Sequence, residues 1–160
     1  MNKIIEADFL PRQTNVEFSW PGSISSSPAT KERKRILVVD DDHHTTHLVK
    51  VLLERTGGYL VLEENDATKA HQSARDFRPD LILLDIMMPD ADGGDVAARI
   101  EADPELHSTP IVFLTALITK SEAEAGLRIQ GHPFTAKPVN IPDLIKVIEE
   151  NLPKQAQAVP

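Results

Sequence analysis

Cysteine is absent from the 160 residues, which excludes disulfide staples, a thiolate nucleophile and cysteine-based metal sites. Long apolar runs are missing as well. No stretch approaches the roughly 18 apolar residues that a membrane-spanning helix needs. The opening MNKIIEADFL meets Glu6 after two isoleucines, too early for the apolar core of a signal peptide. A cytoplasmic protein without membrane insertion is expected. Basic charge is scarce where a fold could form. Residues 1–35 carry six basic and four acidic side chains, whereas residues 36–160 carry 11 and 21. A surface of that sign repels nucleic acid, so direct binding to DNA or RNA is not expected. Internal repeats are also lacking. What remains, 41% apolar and 26% charged residues, suits about one globular domain with a little chain left over.

The pattern that is present alternates short apolar runs with helical stretches. Residues 1–33 have no sustained period and contain SSSPAT with Pro11, Pro21 and Pro28, which reads as a disordered N-terminal tail. Ile36–Val39 is a first buried strand, followed by a helix over His44–Arg55 with Leu48, Val49, Leu52 and Leu53 inward and Gly57-Gly58 ending it. Tyr59–Leu62, Leu81–Leu84, Ile111–Leu114 and Pro133–Ala136 read as four further strands. Helices are expected over Ala67–Phe77, Val96–Ala102, Ser121–Ile129 and Ile141–Leu152, and residues 153–160 as a C-terminal tail. Strand and helix thus alternate five times. Short strands apolar throughout belong in a parallel sheet with helices on both faces, an α/β (βα)5 doubly wound fold.

That architecture gathers chemistry at one edge. In open α/β sheets the site lies outside the C-terminal ends of the strands. Asp40 and Asp41 follow the first strand, Asp85 ends the third, Thr115 the fourth, and Lys137 follows the fifth. Asp42 reads as the cap of the first helix. Phosphoryl transfer needs positioning and charge neutralisation above all, and each residue type meets one need. Asp85 is the expected nucleophile toward phosphorus. Asp41 and Asp85, with Asp40 through water and the Met87 backbone carbonyl, suit a magnesium ion, Mg²⁺. Lys137 and the Thr115 hydroxyl suit two phosphoryl oxygens. His43, His44 and His47 have spacings that could bind zinc, but the HExxH order is absent.

Four motifs, ILVVDDD, PDLILLDIMMPDADG, PIVFLTA and FTAKP, stand in an order and spacing that resemble the receiver domain of two-component response regulators. The resemblance covers residues 34–152. It implies the flavodoxin-like strand order 2-1-3-4-5, which comes with the family and not from the pattern of apolar runs. It implies Asp85 as phosphoacceptor, Asp40 and Asp41 as the acidic pair, Thr115 as the switch hydroxyl, Lys137 as the phosphoryl-binding lysine and Phe134 as the switch aromatic. The Lys137-Pro138 bond would be cis, although an X-Pro bond by itself favours trans. The implied donor is a sensor histidine kinase or a histidine phosphotransfer protein. Phosphorylation would draw Thr115 inward, let Phe134 pass the small Ala116, and reshape the surface of the Ser121–Ile129 helix, fifth strand and last helix for a downstream protein. Met87 and Leu117, two residues after the acceptor and the switch threonine, flank the path of a hydrolytic water. Two departures are visible. Ala91 stands where the family often has methionine, and Gln130-Gly131-His132-Pro133 is an unusual entry to the last strand.

With only eight residues after Leu152, a stand-alone receiver or a relay is expected, a signalling protein and not an enzyme. Haloacid-dehalogenase-type phosphatases share the residue types, yet hhhhDxDx[TV] fails from Asp40, where His44 replaces Thr or Val, and from Asp85, where Met87 replaces the second Asp. A flavodoxin-type FMN carrier needs a hydroxyl-rich loop where three aspartates stand. A phosphorylation-independent adaptor is the remaining alternative, and the full set of acids and lysine argues against it.

Overall fold

A computed structural model describes residues 32–118 and 128–154. The expected tails (all but residues 32–33 and 153–154) and most of the expected Ser121–Ile129 helix lie outside these residues. Five strands, β1 (Lys34–Val39), β2 (Tyr59–Glu64), β3 (Leu81–Asp85), β4 (Ile111–Thr115) and β5 (Phe134–Ala136), form one sheet. Its order is β2-β1-β3-β4-β5 with every pair parallel. Four described helices, α1 (His43–Arg55), α2 (Ala70–Phe77), α3 (Gly93–Glu101) and α4 (Ile141–Asn151), cover its two faces. The expected fold class and strand order are both found. No helix among the described residues is long and apolar enough to cross a membrane.

The continuous apolar runs are explained by what each face meets. Strand side chains alternate between faces, and here both faces are covered. Leu37, Val39, Ile82, Leu84, Ile111 and Phe113 pack with α2 and α3 through Ala70, Ala74, Val96 and Ile100. Ile36, Val38, Leu81, Leu83, Val112 and Leu114 pack with α1 and α4 through Val49, Leu53, Leu144 and Ile148. Neither face leaves room for a polar alternate residue, so the sequence shows no alternation.

Three boundaries and one face differ from expectation. In α1 the buried positions are Thr46, Val49 and Leu53, while Leu48 is 49% exposed. Thr46 takes the inner place because its hydroxyl is satisfied locally, donating to the His43 carbonyl at 3.2 Å. Helix α2 starts at Ala70, since Asp66 turns the chain by accepting the Thr68 N–H at 2.9 Å. Helix α3 starts at Gly93, three residues early, because Asp92 caps it by accepting the Gly94 N–H at 2.7 Å. Glycines are poor helix formers, which is why Gly93-Gly94 reads as a turn in the sequence. Ile129, expected at a helix end, instead pairs with His132 across a two-residue turn.

That turn explains the unusual entry to β5. Gln130 and Gly131 both have positive φ, 50° and 87°, the signature of a type I′ hairpin turn. The Gln130 amide lies over Gly94, and His132 Nε2 sits 3.2 Å from Glu101 at the other end of α3. The turn therefore runs along one stripe of α3. The Lys137-Pro138 bond that follows β5 is cis.

Candidate functional site

Strand β1 runs out of partners at Asp40, whose N–H makes a last ladder bond to the Glu64 carbonyl at 3.1 Å. The Asp40 side chain then folds back, and Oδ1 accepts the Asp42 N–H at 3.0 Å. Asp40 is fully buried, whereas Asp41 faces solvent. Asp42 is the helix cap expected of it: it accepts from the Thr45 hydroxyl at 2.7 Å and from the His44 N–H at 3.0 Å. Those two bonds hold its carboxyl below the usual carboxylate range.

Asp85 ends β3 at the same edge and is only 5% exposed. Lys137 joins the two buried acids, with Nζ 2.6 Å from Asp40 Oδ2 and 3.3 Å from Asp85 Oδ1. Its backbone is fixed by donating to the Thr115 carbonyl at 2.7 Å. Burial and then the charge of Asp40 push the Asp85 carboxyl up, against the opposing pull of Lys137 and of the Met87 N–H. Burial also works against the Lys137 charge, but Asp40 and Asp85 outweigh it and raise the ammonium's pKa. Thr115 is buried, and its Oγ accepts the Leu117 N–H at 3.0 Å. Among the described residues no acceptor takes the hydroxyl hydrogen.

Asp40, Asp41 and Asp85 each offer one carboxylate oxygen, and these lie within 4.8 Å of one another. Three carboxylates against one lysine leave an excess of negative charge, and all-oxygen donors suit a hard divalent cation. Among the described residues His43, His44 and His47 do not gather into a comparable group. Around the acids, Met87 and Leu117 are 63% and 66% exposed. Ala116 is exposed, and Phe134 is buried among the residues that pack on α3.

Two supporting residues escape sequence reasoning. An ideal Cβ on Gly93 would lie 2.2 Å from the Asp85 carbonyl oxygen, so only glycine lets α3 press on the backbone that carries Asp85. The Asp92-Gly93-Gly94 turn signal hinted at a special backbone without showing what it touches. Asn65 has no signal at all in the sequence. Its amide donates to the Asp40 carbonyl at 2.7 Å and to Thr46 Oγ at 3.0 Å.

Residues 36–149 match the family model of the response regulator receiver domain. The chain belongs to that family. Among curated relatives, the receiver is 30% identical over 119 residues to the polar-differentiation response regulator DivK of Brucella anthropi, covering 74% of this chain and 96% of DivK. It is 35% identical over 120 residues to the DNA-binding response regulator MtrA of Mycobacterium tuberculosis, covering 75% of this chain and about half, 51%, of MtrA. Among solved structures it superposes on the Vibrio cholerae chemotaxis protein CheY4 with a TM-score of 0.65 at 26% identity, covering 76% of this chain and all of CheY4. The receiver domain of the Pseudomonas aeruginosa sensor histidine kinase PA1611 gives 0.63 at 27% identity, covering 75% and 98%. That neighbour holds a magnesium ion in its active-site cleft.

Proposed function

We propose that Asp85 of this receiver accepts a phosphoryl group from a phosphohistidine on a sensor histidine kinase or histidine phosphotransfer protein. The observation that carries the reading is the meeting of two buried aspartates on one lysine, with a third carboxylate in metal-ligand reach. Asp85 Oδ attacks phosphorus as the donor's P–N bond breaks, and the electron pair leaves with the imidazole. Asp40, Asp41 and Asp85 are the residues to hold Mg²⁺, which when bound supplies positive charge to the phosphoryl oxygens. Lys137 exchanges an Asp85 oxygen for a phosphoryl oxygen, and the Thr115 hydroxyl donates to another.

Phe134 is already buried at 5% exposure, so the switch would start from an inward aromatic and act mainly through Thr115 and β5. The receiver then works as a signalling device whose changed surface binds a downstream protein, in the cytoplasm, and turns over no external substrate. Incubation with acetyl phosphate and Mg²⁺ tests the reading. Intact-mass measurement should show one added phosphoryl group. No gain, or an equal gain with the metal chelated, would overturn it.

Hydrolysis of the acyl phosphate needs a water in line with the Asp85 oxygen. Met87 and Leu117, both apolar and exposed at the rim, neither orient that water nor take its proton. A positioned base or amide is commonly worth factors of about 10² or more. Phosphorylated receiver should therefore decay over hours and not seconds. Met87→Asn with Leu117→Glu should shorten the lifetime at least about tenfold, some 1.4 kcal/mol of barrier, followed as phosphate release without kinase. Decay of the wild type within seconds would place control of water elsewhere.

A further inference from the structure

Asn65 stands in the loop after β2, outside every motif that marks the site, yet it touches the strand that delivers two of the three acids. We propose that Asn65 is a positioning residue for the metal-binding carboxylates, setting the affinity of the site for Mg²⁺; this rests on the reading of Asp40, Asp41 and Asp85 as the metal's ligands. Both hydrogens of its amide are in use. One goes to the Asp40 carbonyl at 2.7 Å and the other to the hydroxyl of Thr46, on α1, at 3.0 Å.

The geometry matters because of where the β-ladder stops. Asp40 N–H to Glu64 carbonyl is the last bond that β2 gives to this edge of the sheet. The next polar group along the chain is the Asp40 carbonyl, just past β1 and in a residue with no solvent exposure. The Asp66 N–H, which would continue the ladder, goes instead to Glu64 Oε1 at 2.9 Å, and the Asn65 side chain supplies the missing donor. A buried carbonyl without a donor is unfavourable, so the amide has a defined task.

The Asp40 carbonyl is half of the Asp40–Asp41 peptide group. Holding its oxygen fixes the plane from which Asp41 springs. Asp41 is the exposed member of the trio, and its side chain makes no hydrogen bond or ion pair among the described residues. Its neighbour Asp42 is secured independently by the α1 cap and by Asp40 Oδ1. The Asp40–Asp41 peptide is tied to the end of β2 by Asn65. Outer-shell partners that orient metal ligands typically contribute 10–100-fold to affinity.

Asparagine suits the task better than its isostere. Aspartate at this position has no N–H, faces the Asp40 carbonyl with a second acceptor, and adds a charge beside three acids. Thr46→Val offers the complementary control, since it removes the amide's α1 partner and leaves the Asp40 bond available.

Calorimetric titration of the full chain with MgCl₂ tests the proposal without any phosphoryl donor. Asn65→Ala should weaken Mg²⁺ binding by about tenfold, and Asn65→Asp at least as much. Thr46→Val should stay within about twofold of wild type despite some loss of melting temperature. Asn65→Ser, which keeps one short donor, serves if the alanine variant is poorly folded, and should fall between wild type and Asn65→Asp. A folded Asn65→Ala or Asn65→Ser with wild-type affinity overturns the positioning role while leaving the site intact. A wild type that takes up no Mg²⁺ overturns the metal reading itself, and the two failures are thereby told apart.

Discussion

Replacing Asp85 by asparagine should abolish phosphoryl uptake and, in metal-free buffer, raise the melting temperature at neutral pH by several degrees. The two effects share one cause. The site keeps a carboxylate buried beside the equally buried Asp40, and burial together with that repulsion raises the Asp85 carboxyl's pKa despite Lys137. A raised pKa means the folded chain holds this proton more tightly than the unfolded chain does. The contribution to stability is then fully present below the unfolded value, ~3.9, and is lost as pH rises through the folded one. Above the folded value the wild type has lost it, and asparagine carries no such penalty. The gain should accordingly be small near pH 4 and grow as pH rises. Thermal melts across that range with intact-mass measurement after acetyl phosphate check both parts. A variant that labels like wild type, or melts lower at pH 7, would show that the Lys137 pair outweighs burial or that another group accepts the phosphoryl.

A single methyl at Gly93 should impair both stability and phosphoryl uptake, by steric means. The ideal Cβ would lie 2.2 Å from the Asp85 carbonyl oxygen and 2.8 Å from Ile86 Cα, both backbone atoms with no rotamer to yield. The first turn of α3 has to lift, breaking the 2.9 Å bond from Gly93 N–H to the Ile86 carbonyl. Overpacking commonly costs about 1–3 kcal/mol and occasionally more, and backbone against backbone belongs at the upper end. Gly93→Ala should lose about 3 kcal/mol in urea unfolding and phosphorylate at least about tenfold more slowly, ~1.4 kcal/mol of barrier. Gly94 next door is the control. There the obstacle is the Gln130 amide at 2.7 Å, the far end of a flexible side chain. Gly94→Ala should stay within about 1 kcal/mol of wild type, helped by the better helix propensity of alanine. Equal losses at the two positions would show that the close approach to Asp85 is not what matters.

The gathering of the acids and the lysine at one sheet edge was legible in the sequence because parallel strands advertise themselves. Ile36–Val39 and Leu81–Leu84 are apolar throughout because both faces are covered, and an acid at the end of such a run is conspicuous. The parts that were not legible depend on contacts between distant segments. Thr46 displaces Leu48 from the inner face of α1 because a local carbonyl and Asn65 satisfy its hydroxyl, which a hydrophobic pattern cannot register. Asn65 itself acts on Asp40, 25 positions earlier. Gly93 presses on a backbone atom eight residues away, and nothing in its own neighbourhood names that atom.

Strand β5 has three residues and one sheet neighbour, β4, whereas β1 and β3 lie inside the sheet with partners on both sides. The two buried acids are therefore anchored in the interior of the sheet, and the lysine that balances them hangs from its shortest strand, at one edge. Local opening is cheapest where few buried contacts and hydrogen bonds must break. Were β5 to fray, the ammonium would leave with it and Asp40 and Asp85 would face each other alone, so electrostatic self-energy would act as a spring returning the strand. A bound divalent cation would slacken that spring, making the edge freer to breathe when the acids are already balanced.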